Sequence, residues 1–285
     1  RLILRAPSKF VGDWIERHFQ DSVRLAATEA FGADTGVKIL AGVLPATPTP
    51  VQTEKPAPVT ARTGEDCIAR SFLSRHYTFE NFIVGPSNRL CHAAALAVAD
   101  KPGLSYNPLF LHGSVGLGKT HLLQAVCHVL LDRDPGGKIL YLSCESFVNH
   151  FVSAVEKGDL DRFRSKYRHV DVLVIDDIHF LANKERTQEE FFHTFNTLYS
   201  AQKQIILASD SAPQDIPTLE ERLVSRFKWG LVAELEPPHH ETRMAILNSK
   251  ARLKGVSLSG DVIDFIATHV ASTVRELEGA VTKVL

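Results

Sequence analysis

At 285 residues, 44% of them hydrophobic and 23% charged, the chain is long enough for one large or two small domains and can bury a sizeable core. Its formal net charge of −1 excludes a whole-chain basic field, so any contact with nucleic acid has to be local. Four cysteines (Cys67, Cys91, Cys127, Cys144) without a C-x-x-C pair point to reduced thiols in a cytoplasmic protein rather than a disulfide framework, and no stretch reads as a signal peptide or a membrane span.

The chain begins at Arg1 without a methionine and stops inside a helical pattern, so it is expected to be part of something longer. Residues 1–38 read as a small, partial α+β domain. Leu2-Ile3-Leu4 suggests a short strand, Ala6-Pro7-Ser8 a turn with Ser8 as N-cap, and Phe10, Val11, Trp14, Ile15 and Phe19 recur at helical spacing. A second helical pattern runs through Val23, Leu25, Ala26 and Phe31. Residues 39–75 read as a semi-extended linker: Pro45, Pro48, Pro50, Pro56 and Pro58 sit among Ala, Thr and Val without aromatic anchors.

The main domain is expected over 76–236. A helix over about 87–100 precedes the strand Leu109-Phe110-Leu111. Then come Gly113-Ser114-Val115-Gly116-Leu117-Gly118-Lys119-Thr120, spaced G-x-x-x-x-G-K-T, and a helical pattern from His121 onward. Ile139-Leu140-Tyr141-Leu142 is the next strand, followed by helical patterns over about 145–168. The β-branched run 170–175 reads as a buried parallel strand ending in Asp176-Asp177; a helix over 188–201 and a strand over 204–208 follow. Strands alternating with helices imply an α/β parallel sheet with flanking crossover helices. After Pro237-Pro238 only helices are expected, over about 239–254, 259–269 and 273–285, forming a C-terminal helical lid over 237–285. Gly255 fits a helix C-cap and Thr273-x-x-Glu276 a capping box.

Strand, glycine loop and helix together are a phosphate loop. The glycines turn backbone N–H groups inward, the helix N-terminus adds partial positive charge, Lys119 reaches the β- and γ-phosphates, and the Thr120 hydroxyl can ligate Mg²⁺. A nucleoside triphosphate is therefore expected. Asp176 and Asp177, ending a buried strand, can divide the work, Asp176 holding Mg²⁺ and Asp177 polarising water. Asp210, closing the next strand, either senses the γ-phosphate or is a strand-end turn residue. Arg222 and Arg226, four apart on a helix, are either an arginine finger with its assistant or a solvated surface pair. Arg275 stands in the first turn of the last helix, against the macrodipole, where either a bound phosphate or solvent holds it. In 157–168, Lys157, Arg162, Arg164, Lys166 and Arg168 interleave with Phe163 and Tyr167, which suits either single-stranded nucleic acid or an ordinary solvated helix face. The thirteen histidines show no metal-ligand spacing and are read as non-ligands.

Several motifs, taken together, closely resemble the DnaA family of bacterial replication initiators. They are Tyr77-Thr78-Phe79-Glu80-Asn81-Phe82, the glycine loop through His121, Val174-Ile175-Asp176-Asp177-Ile178-His179-Phe180, Asn183-Lys184-Glu185-Arg186, Arg222-Leu223-Val224-Ser225-Arg226-Phe227-Lys228-Trp229-Gly230-Leu231 and Val274-Arg275-Glu276-Leu277-Glu278-Gly279-Ala280. The resemblance implies an AAA+ ATPase fold, ATP or ADP with Mg²⁺ as cofactors, and a nucleotide switch with slow hydrolysis that oligomerises on origin DNA. By motif it implies that the loop residues, His121 among them, bind phosphate, that Asp176 and Asp177 are the Walker B pair, that Asp210 is sensor 1, and that Arg275 is sensor 2. It also implies that Arg226, assisted by Arg222, is a finger reaching a neighbour's ATP, and that Val84 lines the adenine pocket. Val152, Lys157, Arg162, Lys166 and Arg186 are implied to grip single-stranded DNA. Further implied partners are the replicative helicase, through the N-terminal domain, and acidic phospholipids. Because the family's C-terminal helix-turn-helix domain is not found in the sequence, the chain is not expected to read duplex boxes specifically. The alternatives are a related AAA+ helicase loader or regulator, and an ATP-driven helicase or clamp loader, the last class showing fast, DNA-stimulated turnover instead of nucleotide-dependent assembly.

Overall fold

Unbroken apolar runs on strands that are buried on both faces demand helices on both sides of the sheet, and that is the arrangement found. The computed structural model describes residues 2–6, 37–41 and 73–284. The chain divides into two units, Arg1–Arg62 and Thr63–Leu285. In the first, strand β1 (Leu2–Ala6) is the strand expected at Leu2-Ile3-Leu4, and it pairs in parallel with β2 (Val37–Ala41), Leu2 opposite Val37 and Ala6 opposite Ala41. The helices and linker expected within 7–36 and 42–72 lie outside the described residues.

In the second unit, α1 (Arg89–Asp100) leads to β3 (Leu109–His112) and α2 (Lys119–Arg133). Then follow β4 (Ile139–Ser143), α3 (Cys144–Lys157), α4 (Leu160–Arg168), β5 (Val172–Asp176), α5 (Glu185–Ser200), β6 (Gln204–Ser209), α6 (Glu221–Phe227) and β7 (Leu231–Glu234). The sheet runs β4-β5-β6-β3-β7, with every pairing parallel. Side chains alternate between two cores as the two-residue period requires. Leu109, Leu111, Val172, Val174, Ile206 and Ala208 face α1 and α2. Phe110, Leu173, Ile175, Ile205 and Leu207 face the helices α3 to α6. Strand β7 is a four-residue, half-exposed edge that the sequence pattern does not announce.

Helices α7 (His240–Leu253), α8 (Gly260–His269) and α9 (Val274–Val284) form the lid around Ile246, Leu247, Ile263, Ile266, Leu277 and Val281. Gly255 closes α7 as expected: its N–H donates to Arg252 O, and Val256 N–H reaches back to Ala251 O. Half of the expected capping box forms, Glu276 N–H donating to Thr273 Oγ1, while the Glu276 carboxylate takes the Ser272 hydroxyl instead.

The helical stretch expected over 145–168 is two helices. Gly158 adopts a left-handed φ of +68° between them, and α4 folds back on α3. What holds the hairpin is apolar and ionic together. Phe163 and Tyr167 are buried against Phe147. Glu190 of α5, only 5% exposed, accepts hydrogen bonds from Arg164 Nη2 at 3.1 Å and Arg168 Nη2 at 2.5 Å. Removing that carboxylate would leave two partly covered guanidinium groups without their counter-charge. Glu190→Ala is expected to lower stability by about 2 kcal/mol, less than for a fully buried pair because Arg164 stays partly wet. Urea denaturation of the two proteins measures it.

Candidate functional site

From the end of β3 the chain turns through residues 113–118 before α2 begins at Lys119. All three of its glycines are forced. Gly113 has a φ of +144°, and a Cβ there would run into Leu235 O. Gly118 has a φ of +108°, and a Cβ there would stand 3.1 Å from Cε2 of Phe82; Gly116 has a φ of +79°, and a Cβ would stand 3.0 Å from Cβ of Arg275. The loop is thus closely approached from one side by the segment before α1 and from the other by the lid.

Lys119 is 6% exposed, and its ammonium donates to Gly113 O at 2.5 Å, Ser114 O at 3.0 Å and Asp210 Oδ1 at 2.8 Å. The neighbouring Thr120 hydroxyl donates to Asp176 Oδ2 at 2.7 Å, and the Tyr141 hydroxyl approaches the same oxygen at 3.3 Å. Burial, then the Asp176 charge, push the Tyr141 phenol above its usual range, so it stays protonated and able to donate. A hydroxyl and a carboxylate side by side are hard oxygen donors of the kind Mg²⁺ takes. Asp177 follows in a left-handed conformation, φ +57°. Burial, then Asp176, raise its carboxyl above the ordinary value, which makes it a readier proton acceptor than an ordinary aspartate. Asp177, His179 and Asp210 present ligand atoms within 4.8 Å of one another. His179 Nδ1 accepts the Asp210 N–H at 3.4 Å, and its Nε2 lies 3.8 Å from Asp210 Oδ2.

The lid closes the other wall. Arg275 N–H donates to Gly116 O at 3.2 Å, tying the start of α9 to the glycine loop. Lys250 of α7 pairs with Glu278 of α9 at 2.5 Å. Between the walls lies a cleft of about 360 Å³. Of the residues expected there, Val115, Gly116, Leu117, Gly118, Lys119, Thr120, His121, Asp177, Asp210 and Arg275 line it. Gly113 and Ser114 contribute the carbonyls that hold Lys119, and Asp176 stands behind Thr120. Burial lowers the His121 pKa, and Nε2 of the ring donates to Thr78 O at 2.8 Å while its face stacks on Tyr77, so His121 organises the wall. Val84 does not line the cleft. Its side chain is exposed, and Ile83, one residue earlier, lines the cleft and packs on the lid core. Asn88 fixes that loop, donating to Ile83 O at 3.0 Å and accepting from Gly85 N–H at 2.9 Å. Asn88, Tyr141, His179 and Lys250 were not read as site residues. Tyr141 is expected only as a strand residue, and His179 falls among the histidines read as non-ligands.

The second group of expected residues divides. Val152 of α3 and Arg186 of α5 line one surface cavity of about 560 Å³. Lys157 and Arg162 are exposed, and Lys166 is half-buried on α4. The aromatics that made this segment resemble a base-stacking strip are core residues, since Phe163 and Tyr167 are buried. Arg164 and Arg168 are committed to Glu190.

Arg222 and Arg226 on α6 are not brought to the cleft. Arg222 pairs with Glu220 and lies over the Phe192 ring, 4.6 Å from its centroid. Arg226 Nε donates to Asn196 Oδ1 at 2.8 Å, and its guanidinium lies 3.7 Å from the centre of the Trp229 ring.

Comparison with known proteins adds the following. The family model for the bacterial DnaA ATPase domain matches residues 73–234. Domain III of the Thermotoga maritima replication initiation protein DnaA is 46% identical, with a TM-score of 0.72, covering 74% of this chain and 88% of that one. AMPPCP-bound DnaA from Aquifex aeolicus is 44% identical, with a TM-score of 0.70, covering 75% of this chain and 66% of that one. A replication initiator DnaA bound to AMPPCP and single-stranded DNA matches with the same identity, TM-score and coverage. Thermotoga maritima RuvB, 21% identical with a TM-score of 0.54, shares the fold alone.

The close approach of Phe82 makes Gly118 a sensitive position. Gly118→Ala is expected to destabilise the chain by about 1–2 kcal/mol through backbone strain, a loss read from the shift of its urea midpoint at unchanged slope.

Proposed function

The chain belongs to the bacterial DnaA ATPase-domain family, and we propose that it is the nucleotide-switched core of a replication initiator, binding ATP with Mg²⁺, assembling with copies of itself and engaging single-stranded DNA. The observation that carries the reading is the meeting of the glycine loop with the lid around a buried Lys119, with Thr120 and Asp176 beside it. The chain spans 66% of the length of the AMPPCP-bound initiator that also holds single-stranded DNA, so what the whole of that protein does supports the reading without defining it.

In this reading Lys119 exchanges the Asp210 carboxylate for the β- and γ-phosphates, and Arg275 carries the lid onto the same phosphates. Thr120 and Asp176 would hold Mg²⁺, which would supply positive charge to offset that of the triphosphate. Asp177 orients a water and accepts its proton as that oxygen attacks the γ-phosphorus and the bond to the bridging oxygen breaks, leaving ADP and phosphate. Asp210, released from Lys119, reports the γ-phosphate through His179. Arg226 has no place in its own cleft, so it acts on the triphosphate of a neighbouring copy, with Arg222 beside it. Hydrolysis then removes the group that joins the copies, which makes it a reset rather than a motor stroke. Val152 and Arg186, at one cavity, contact the single strand, with Lys157, Arg162 and Lys166 supplying charge along the hairpin.

Two outcomes test the two halves. Light scattering of the chain with an ATP analogue, Mg²⁺ and an oligothymidylate is expected to show larger assemblies than with ADP, and Arg226→Ala to lose them; equal size in both nucleotides would overturn the switch. Arg186→Ala is expected to weaken oligothymidylate binding by about tenfold in fluorescence anisotropy, in keeping with the loss of one phosphate or base contact, while triphosphate affinity stays within about twofold.

A further inference from the structure

Arg226 is held in an unusual way for an arginine with no counter-ion. Its guanidinium face lies 3.7 Å from the centre of the Trp229 ring, with Phe192 at 5.5 Å, and its Nε is taken by Asn196 Oδ1 at 2.8 Å. Among the described residues it makes no ion pair, and its four Nη hydrogens have no partner; the Glu220 carboxylate, just before α6, is taken by Arg222. Stacking fixes the plane of the group and the Asn196 bond fixes its rotation within that plane. What is left free is the Nη edge, the edge that binds a phosphate in bidentate fashion.

The supports are themselves fixed. Phe192 and Asn196 stand one turn apart on α5, on one face. Trp229 is 48% exposed, and its ring is set against Tyr199, also of α5, with centroids 5.0 Å apart. A large exposed indole and an ordered arginine are costly to maintain for stability alone, because both give up freedom at the surface. They are what a receptor needs if its ligand arrives from outside, because the ordering is done before the ligand binds.

We infer that Asn196 and Trp229 are positioning residues that hold the Nη edge of Arg226 outward as a preformed receptor for the triphosphate bound to a neighbouring copy, an inference that rests on the trans role proposed for Arg226. Neither residue touches the chain's own cleft. Their loss therefore alters how well one copy engages another's triphosphate and leaves each copy's own nucleotide affinity intact. Trp229→Phe keeps a ring beneath the guanidinium and preserves the function; Trp229→Leu keeps apolar bulk and loses the π face.

The experiment compares wild type, Arg226→Ala, Asn196→Ala, Trp229→Leu and Trp229→Phe. For each, affinity for a fluorescent ATP analogue is measured in dilute protein, and assembly with ATP analogue and oligothymidylate is followed by light scattering. The expected result is that Asn196→Ala and Trp229→Leu raise the concentration needed for assembly by about tenfold, as the loss of one oriented charge-assisted contact would. Trp229→Phe stays within about threefold of wild type, as a retained ring face requires. All variants bind the analogue as wild type does. If Asn196→Ala and Trp229→Leu assemble like wild type while Arg226→Ala does not, the positioning role is overturned and the trans arginine stands. If Trp229→Phe fails as badly as Trp229→Leu, the ring face is not the support. If Arg226→Ala itself assembles normally, the trans reading falls and this inference with it.

Discussion

A buried ammonium group is the constraint from which the rest of the domain follows. Lys119 sits almost wholly out of solvent at the start of α2, where a charge left without partners would cost several kcal/mol. Three oxygens surround it, two from the glycine loop itself and one from Asp210. The third is possible only because β6 lies directly beside β3, so that the residue after β6 reaches the loop after β3. The next strand out, β5, delivers Asp176 to Thr120. Three parallel strands thus end side by side at one edge, and their carboxyl ends bring a cation, a hydroxyl and two carboxylates into one place. The arrangement is complementary to a bound triphosphate: each group that now satisfies Lys119 or Thr120 is one that phosphate oxygens or a hard cation could replace.

The lid reaches this edge through a backbone hydrogen bond, Arg275 N–H to Gly116 O, while the Lys250–Glu278 pair joins two lid helices at the border of the cleft. The position of the lid is therefore read at the glycine loop, the same few atoms that hold Lys119. Helix α5 plays the corresponding part on the outer surface. Its first turn carries Arg186, its second places Glu190 under the α3–α4 hairpin, and its later turns carry Phe192 and Asn196 toward Arg226. One rigid element thus presents both the expected strand-binding residue and the support of Arg226.

Much of this was legible in the sequence because it depends on local patterns. The buried strands announce themselves as unbroken apolar runs, the glycine loop by its spacing, and the acid pair by its place at the end of such a run. The lid helices carry a cap at Gly255 and half a capping box at Thr273, and both form. What was not legible depends on which neighbour a side chain meets. Phe163 and Tyr167 alternate with basic residues as a nucleic-acid strip would, but the turn at Gly158 folds α4 back and buries both rings. Arg164 and Arg168 meet Glu190 from a distant helix, a partner that spacing cannot reveal. Ile83 and Val84 are equivalent by composition, and only the direction of the loop held by Asn88 turns the first toward the cleft. Strand β7 was missed because its apolar run, Leu231-Val232-Ala233, is only three residues long before Glu234 ends it.

The central claim is that the cleft around Lys119 binds a nucleoside triphosphate by exchanging protein oxygens for phosphate oxygens. Calorimetric titration of ATP, with Mg²⁺ present, into the chain tests it most directly. The account predicts saturable one-to-one binding that disappears in Lys119→Ala and weakens when Mg²⁺ is chelated. A titration without a saturable signal, or one unchanged by Lys119→Ala, would contradict it.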